Sequence, residues 1–340
     1  MGSPADAPLC ANSGRGSSEI ISTRSETYAE VSEIDLDAGP TSISQANMPL
    51  SEVLREIRLA SIAGYRRIYK FRRDHKRWPN IFRPRTFNEK ILYRSIFDRR
   101  PIFQTLSDKL AVRSYVKGRV GNLAYIPRVL FQTRCADDLL TATLPYCFVL
   151  KSNHGQAHTY LHSAGEPDRT RLVAIAETWL AWDNYEQRDQ WCYKDIPKTI
   201  FVEEHLTAGG PEPPDYKFFC FDGIPRFIEF RTKRSSGPRR DFYDSDWRSL
   251  EMSFVDPVSG HAHPRPPNLD KMIAIASRLS SDFDFIRVDL YDLGDRVVFG
   301  EITCYPQNGR GNSSRRHGMW NLGATGSSAV EQDCKGQKQK

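Results

Sequence analysis

The sequence predicts an α+β protein, with helices interspersed among strands paired as hairpins. Three observations point there. Apolar residues recur at spacings of three and four along residues 54–68 and 269–279, the period of a helix with one buried face. Short apolar runs at 146–151, 199–206 and 215–221 have the length and composition of strands. Asp222-Gly223 and Asp292-Leu293-Gly294-Asp295 separate further runs of the same kind, and both are turn chemistry.

The chain has 340 residues, 39% hydrophobic and 26% charged, with a formal net charge of +6. That suits one large or two medium domains. Seven cysteines are scattered without a CxxC pair. Reduced core thiols in a cytoplasmic protein are expected, with neither a disulfide framework nor a zinc site. No apolar run approaches the roughly 20 residues of a membrane helix. The N-terminus lacks the basic-then-apolar pattern of a signal peptide.

Residues 1–47 are rich in small and polar side chains without periodicity and read as a disordered tail. Residues 48–105 read as a basic helical region. Pro49 and Ser51 precede the first helical pattern, whose continuation holds Arg66, Arg67, Lys70, Arg72, Arg73, Lys76, Arg77, Arg83 and Arg85. Such a run suits an anionic membrane or an acidic polymer, and equally a solvated face whose stems cover apolar surface. Specific nucleic-acid binding is not expected, because no metal-finger or RNA-binding pattern is present. Thr86-Phe87-Asn88-Glu89 is a capping box opening a helix to about Phe97.

Residues 106–309 hold the remaining elements. A helix is expected from Ser107 to Lys117, bearing Asp108, Lys109 and Arg113, and a strand near Pro127–Phe131. A further helix is expected from Arg171 to Tyr185, and a strand at 227–230 that pairs with 215–221. Residues 310–340 show no convincing element and read as a disordered or altered tail.

The hairpin at 285–306 concentrates chemistry. Strict alternation puts Arg287 and Asp289 on one face, and Phe299, Glu301 and Thr303 on one face of the return strand. Opposed residues in such a pair lie roughly 5 to 8 Å apart. Two carboxylates and a hydroxyl suit Mg²⁺, which prefers oxygen ligands and phosphates. Without a cation the two carboxylates are expected to repel, one taking up a proton. The same pattern also suits a hairpin with one solvated, charged face.

Upstream, Lys109 stands on an early helix. Lys151 ends an apolar strand and leads into a loop with Asn153 and Gly155, an arrangement that can neutralise phosphates. The strand of Ile200 to Leu206 ends in Glu203 and Glu204 and can meet an adenine edge. Asp215 and Lys217 share a strand face suited to ribose and phosphate. Each feature alone is weak, and their order ahead of an R-x-D…E-x-T hairpin is the specific signal.

That order resembles the ATP-grasp superfamily. The matching stretches are residues 107–113, 148–155, 200–206, 215–223, Arg287-Val288-Asp289 and Gly300-Glu301-Ile302-Thr303. Phe87-Asn88-Glu89-Lys90, Lys151-Ser152-Asn153-His154-Gly155, Asp215-Tyr216-Lys217-Phe218-Phe219 and Phe242-Tyr243-Asp244 are similar to its TupA-like branch, named for teichuronopeptide biosynthesis. The resemblance spans residues 87–306 and implies an ATP-grasp fold, two α+β subdomains clasping ATP, behind a helical N-terminal extension. It implies that Lys109, Lys151 and Lys217 hold phosphates, with Asn153 and Gly155 in the covering loop. Glu203, Glu204 and the main chain through Leu206 would hold adenine, and Asp215 the ribose. Asp289 and Glu301 would bind Mg²⁺, and Arg287 would stabilise the acyl-phosphate and tetrahedral intermediate. Thr303 stands where the superfamily has a metal-binding Asn, and a hydroxyl is a weaker ligand. The phosphate loop, with one Gly and two His, is thinner than the superfamily's.

The implied activity is ATP- and Mg-dependent ligation of a carboxylate donor to an amine or glycan acceptor in cell-surface polysaccharide biosynthesis. The implied place is cytoplasmic, peripheral at the inner membrane face. Two other readings compete. A glycosyltransferase would use Asp244-Ser245-Asp246 as a D-x-D metal site, although the same residues suit a turn. A basic, non-catalytic module would bind acidic glycan or membrane and no nucleotide.

Overall fold

A computed structural model describes residues 50–234, 237–250 and 258–309. The two tails read from the sequence as disordered lie outside those residues. The described chain begins with helix α1 (Leu50–His75). Its basic run divides by direction. Arg67 is buried and donates to the Asp189 carbonyl at 2.5 Å and to Asn308 Oδ1 at 2.6 Å. Arg66 and Lys70 reach the Asp189 carboxylate at 2.6 and 2.9 Å. The helix is therefore clamped inward by part of the run that the solvated-face reading placed in water.

Helix α2 (Phe87–Phe97) opens on the expected capping box, Thr86 with Glu89. Glu89 also accepts from Arg77 at 2.5 Å and from the backbone amides of Asn80, Arg85 and Thr86. Burial raises the carboxyl, and these donors outweigh it and hold the pKa at about 2.

The expected helix over 107–117 is two helices, α3 (Ile102–Ser107) and α4 (Val112–Val120), so Lys109 lies in the turn between them. Asp108 ends the first by turning its carboxylate onto the Leu110 amide at 2.8 Å. This is the local bonding by which Asp competes with a continuous helix.

Four antiparallel strands form the first sheet, in the order β1 (Val129–Thr133), β4 (Ile200–Glu204), β2 (Phe148–Ser152), β3 (Thr159–His162). One face buries Phe148, Leu150, Ile200 and Val202 against α5 (Asp138–Thr141) and α6 (Arg169–Ala181). Lys151 and Glu203 fall on the opposite face by alternation. Helix α6 stops at Ala181, short of the expected Tyr185, and α7 (Asn184–Arg188) follows after its own cap, Asp183.

Five antiparallel strands form the second sheet. Their order is β7 (Gly237–Tyr243), β6 (Ile224–Arg234), β5 (Asp215–Phe221), β8 (Phe285–Asp292), β9 (Val297–Thr303). Helix α8 (Leu269–Ser280) packs on it, and Met272, Ile275, Ala276 and Leu279 are buried in one core with Phe218, Ile286, Val288 and Leu290. Neither β3 nor β7 was expected from the sequence. Five cysteines among the described residues are unpaired, of which Cys192, Cys220 and Cys304 are buried while Cys135 is exposed.

The β8–β9 register contains one irregularity. Asp289 opposes Glu301, but Leu290 opposes Phe299, so Gly300 is an extra residue. A bulge inverts the alternation on either side of itself. Phe299 thus joins the core beside Leu290, not the face of Glu301 and Thr303 that strict alternation predicted. A Cβ on Gly300 would stand 3.0 Å from both the Asp289 carbonyl and the Tyr291 ring. Glycine admits the close approach.

Candidate active site

Sheet register assembles a row of charge across the second sheet. Glu229, Lys217, Asp289 and Glu301 occupy successive strands at mutually opposed positions. Arg287, two residues before Asp289, shares its face. Its Nε and Nη2 donate to the two Asp289 oxygens at 2.6 and 2.7 Å, and Nη2 also donates to Glu301 Oε1 at 2.9 Å. Lys217 Nζ donates to Asp289 Oδ2 at 2.6 Å and lies 3.4 Å from Asp215.

Asp289 is only 2% exposed. Burial raises its carboxyl, but Arg287 and Lys217 outweigh burial and hold the pKa at about 2. Asp289 therefore does not favour the proton uptake expected of one of two repelling carboxylates, because Arg287 is bidentate on it. Burial lowers Lys217 and Arg287, and the carboxylates outweigh it and raise both above their ordinary values.

A cavity of about 550 Å³ opens at the Arg287–Glu301 end of this row. Arg287, Glu301 and Thr303 line one wall, and Lys109 and the loop Gly155-Gln156-Ala157 another. Lys109 donates to the Gly155 carbonyl. Burial pushes its pKa down to about 8, against the upward pull of Glu301. Glu301 is 44% exposed at its side chain, and the Thr303 hydroxyl donates to it at 3.3 Å.

The loop is held from behind. Asn153 is buried and accepts from the Thr199 amide at 2.9 Å, while its Nδ2 donates to Pro197 O and Asp108. Its side chain thus braces the loop, where the sequence suggested contact with phosphate. His158 stacks on Trp179 with centroids 5.2 Å apart and pairs with Ser152 Oγ at 2.8 Å. Burial lowers its pKa to about 4. A Cβ on Gly155 would lie 1.9 Å from His158 Nδ1, so glycine is required there.

The remaining candidates lie on the first sheet. Lys151 Nζ donates to Glu203 Oε1 at 2.6 Å, and Arg113 reaches Glu203 Oε2 at 3.3 Å. Glu203 and Lys151 lie within electrostatic reach of Lys109, as does Glu301, so one ionic field joins the two sheets. The Glu204 carboxylate accepts from Tyr125 and from Arg128 N at 2.7 Å. It fastens the end of β4 to residues 125–128, which leaves only its backbone for a base edge. Leu206 stands in the turn just after β4.

Asp289, Glu301 and Thr303 are all oxygen donors, as a hard divalent cation requires. Among the described residues no group of three or more His, Cys, Asp and Glu could hold a metal. Glu301 and Thr303 line the cavity, while Asp289 is 2% exposed with both oxygens bonded by Arg287 and Lys217, so Glu301 is the carboxylate open to a cation whose remaining ligands are phosphate oxygens and water. Sequence reasoning missed most of the wall, including Lys70, Arg188, Tyr193 and Asn308. They come from α1, α7 and short turns, and no local spacing marks them. The D-x-D candidate is a turn: Asp244 Oδ1 accepts from the amides of Asp246 and Arg248 at 2.9 and 2.8 Å. Asp246 pairs with Arg248 at 2.6 Å.

Among solved structures the chain is similar to the ATP-grasp ligase PsnB complexed with a minimal precursor, at 12% identity and TM-score 0.36, covering 63% of this chain and 60% of that one. It is similar to D-alanine–D-alanine ligase from Bacillus anthracis at 13% identity and TM-score 0.32, covering 68% and 61%. A RimK domain ATP-grasp protein from Sphaerobacter thermophilus is similar at 13% identity and TM-score 0.33, covering 58% and 59%. The chain thus spans about 60% of the length of the first of these. A search of curated proteins found no match. A family model described as TupA-like ATPgrasp matches residues 89–325. That match takes in both sheets and more than half of the sequence, and the chain belongs to the TupA-like ATP-grasp family.

Proposed function

We propose that the chain is an ATP- and Mg²⁺-dependent ligase that joins a carboxylate donor to an amine or glycan-borne amine. The observation that supports this most is Arg287, bonded to both Asp289 and Glu301 and lining the same cavity as Lys109 and Gly155. In this reading residues 106–309 are the catalytic unit and residues 48–105 an extension.

Lys109 and Lys151 neutralise the nucleotide's phosphates, and the loop after Asn153 covers them. The backbone from Glu203 to Leu206 meets adenine, and Asp215 faces the ribose. Glu301 and the Thr303 hydroxyl would hold Mg²⁺, which supplies neutralisation of phosphate charge, and Asp289, the other metal ligand expected from the sequence, would act behind them by holding Arg287. The donor carboxylate oxygen attacks the γ-phosphorus and ADP leaves, giving an acyl-phosphate. The amine then attacks the acyl carbon, loses a proton, and inorganic phosphate leaves. Arg287 lies where charge builds on the transferring group and on the tetrahedral oxyanion. The work of the site is positioning and charge stabilisation.

The resemblance to proteins of teichuronopeptide biosynthesis supports an acidic cell-surface polymer as the product, made in the cytoplasm at the inner membrane face. The test is a nucleotide screen by thermal shift, with ADP release as a second readout. Mg²⁺-ATP is expected to raise the melting temperature by mass action, and Glu301→Gln to abolish both the rise and ADP release. Stabilisation by a nucleotide-sugar with Mn²⁺ and none by Mg²⁺-ATP would refute the ligase reading.

A further inference from the structure

We propose that the outward face of α1 and the segment 76–85 form a docking surface for the anionic surface of a lipid bilayer. The proposal extends the peripheral placement above to named side chains and does not depend on the chemistry of the cleft.

The basic run divides into two sets. Arg66, Arg67, Lys70 and Arg77 turn inward, onto Asp189, Asn308 and Glu89. Arg73 pairs with Asp74 at 3.0 Å, and Arg72, Lys76, Arg83 and Arg85 are exposed. With them stand large apolar rings that the described residues leave exposed: Phe82 is 85% exposed, Trp78 60%, Tyr65 69% and Tyr69 57%. The Arg72 guanidinium lies over the Trp78 ring, 4.7 Å from its centroid, so charge and ring are presented together.

A solvated basic face explains the cations but not the rings. Burial of the rings would favour any apolar partner, but four exposed cations beside them favour one that is anionic outside and apolar beneath. A bilayer has that layering. Aromatic rings take the headgroup level, and Lys and Arg meet anionic lipid. Among the described residues no helix is long and apolar enough to cross a membrane, so the contact is with the surface.

The experiment is sedimentation of the full chain with phosphatidylcholine vesicles, with and without phosphatidylglycerol, at low and high salt. Binding is expected only with phosphatidylglycerol, falling as salt rises. Arg83→Glu with Arg85→Glu should weaken it by about twenty-five-fold or more, at about fivefold per cation lost. Trp78→Ser with Phe82→Ser should abolish it, although every basic residue is retained. Both variants alter exposed side chains, and an unchanged melting temperature checks that they fold. Equal binding to neutral vesicles, or no vesicle binding, overturns the proposal. Salt-sensitive binding to heparin that ignores Trp78 and Phe82, without vesicle binding, assigns the surface to a soluble polyanion instead. Vesicle binding with no Mg²⁺-ATP stabilisation would sink the ligase reading and leave the docking surface standing.

Discussion

Asp289→Asn is expected to destabilise the apo protein markedly, while Glu301→Gln is expected to leave it almost unchanged. Asp289 is 2% exposed and Lys217 7%, and Arg287 is bidentate on the same carboxylate. Removing that charge leaves an ammonium and a guanidinium together in a buried site. Loss of one partner of a buried pair costs about 3 to 5 kcal/mol. A second route gives a smaller figure. The Asp289 carboxyl is held at about 2 against an ordinary 3.8, which corresponds to about 2 kcal/mol of stability at neutral pH. A loss of about 3 kcal/mol is therefore expected, a fall in melting temperature of roughly 6 °C or more. Glu301 is 44% exposed and shares Arg287 with Asp289, so its loss should cost less than about 1 kcal/mol. Urea denaturation of the two variants without nucleotide measures both. A double-mutant cycle with Lys217→Met then isolates the pair, and the double variant should be less destabilised than the sum of the singles. Asp289→Asn as stable as the wild type would refute the reasoning and restore the picture of two carboxylates in mutual repulsion.

Two further outcomes follow from the same geometry. Lys151→Met is expected to weaken Mg²⁺-ATP binding by at least tenfold, since a charge-assisted contact contributes about 1.5 to 3 kcal/mol; unchanged affinity by calorimetry in a folded variant would take Lys151 out of the site. Stability should also fall with acid, because burial lowers His158 to about 4 from 6.5. Between those values the unfolded chain binds the proton and the folded chain does not, so the stabilisation is complete above pH 6.5 and is lost towards pH 4. Melting curves across that range should show the slope in the wild type and a shallower one in His158→Phe, and parallel curves would count against it.

The hairpin was legible because its signal is local. Arg287 and Asp289 are two residues apart, and a turn returns Glu301 to the same level. The α2 capping box was legible for the same reason. Long-range bonding was not. No feature of the sequence near Asp189 marks it as the buried anchor of Arg66 and Lys70, more than a hundred residues earlier. The bulge at Gly300 was hidden too, because one extra residue leaves the composition of a strand unchanged while moving Phe299 to the other face. The break between α3 and α4 depends on Asp108 bonding the Leu110 amide, a choice that a hydrophobic pattern does not encode.

The balance of the charged row separates a reacting site from a structural one. Across β5, β8 and β9, two cations, Lys217 and Arg287, stand among three carboxylates, Asp215, Asp289 and Glu301, so the network has room for a further cation. Burial strengthens the attraction within such a network and costs the desolvation of each member. Here burial is graded. Asp289 and Lys217 are enclosed, the side chain of Arg287 is 13% exposed, and that of Glu301 is 44% exposed on the cavity wall. The open end coincides with Thr303 and Lys109, the groups that would share a phosphate-bound cation and its phosphates. Binding there adds charge where solvent already reaches and leaves the enclosed pair intact. In the proposed reaction such a division would let Arg287 keep its hold on Asp289 while exchanging Glu301 for an anion of the substrate. It also explains why the stability effect is assigned to Asp289 and the loss of nucleotide response to Glu301.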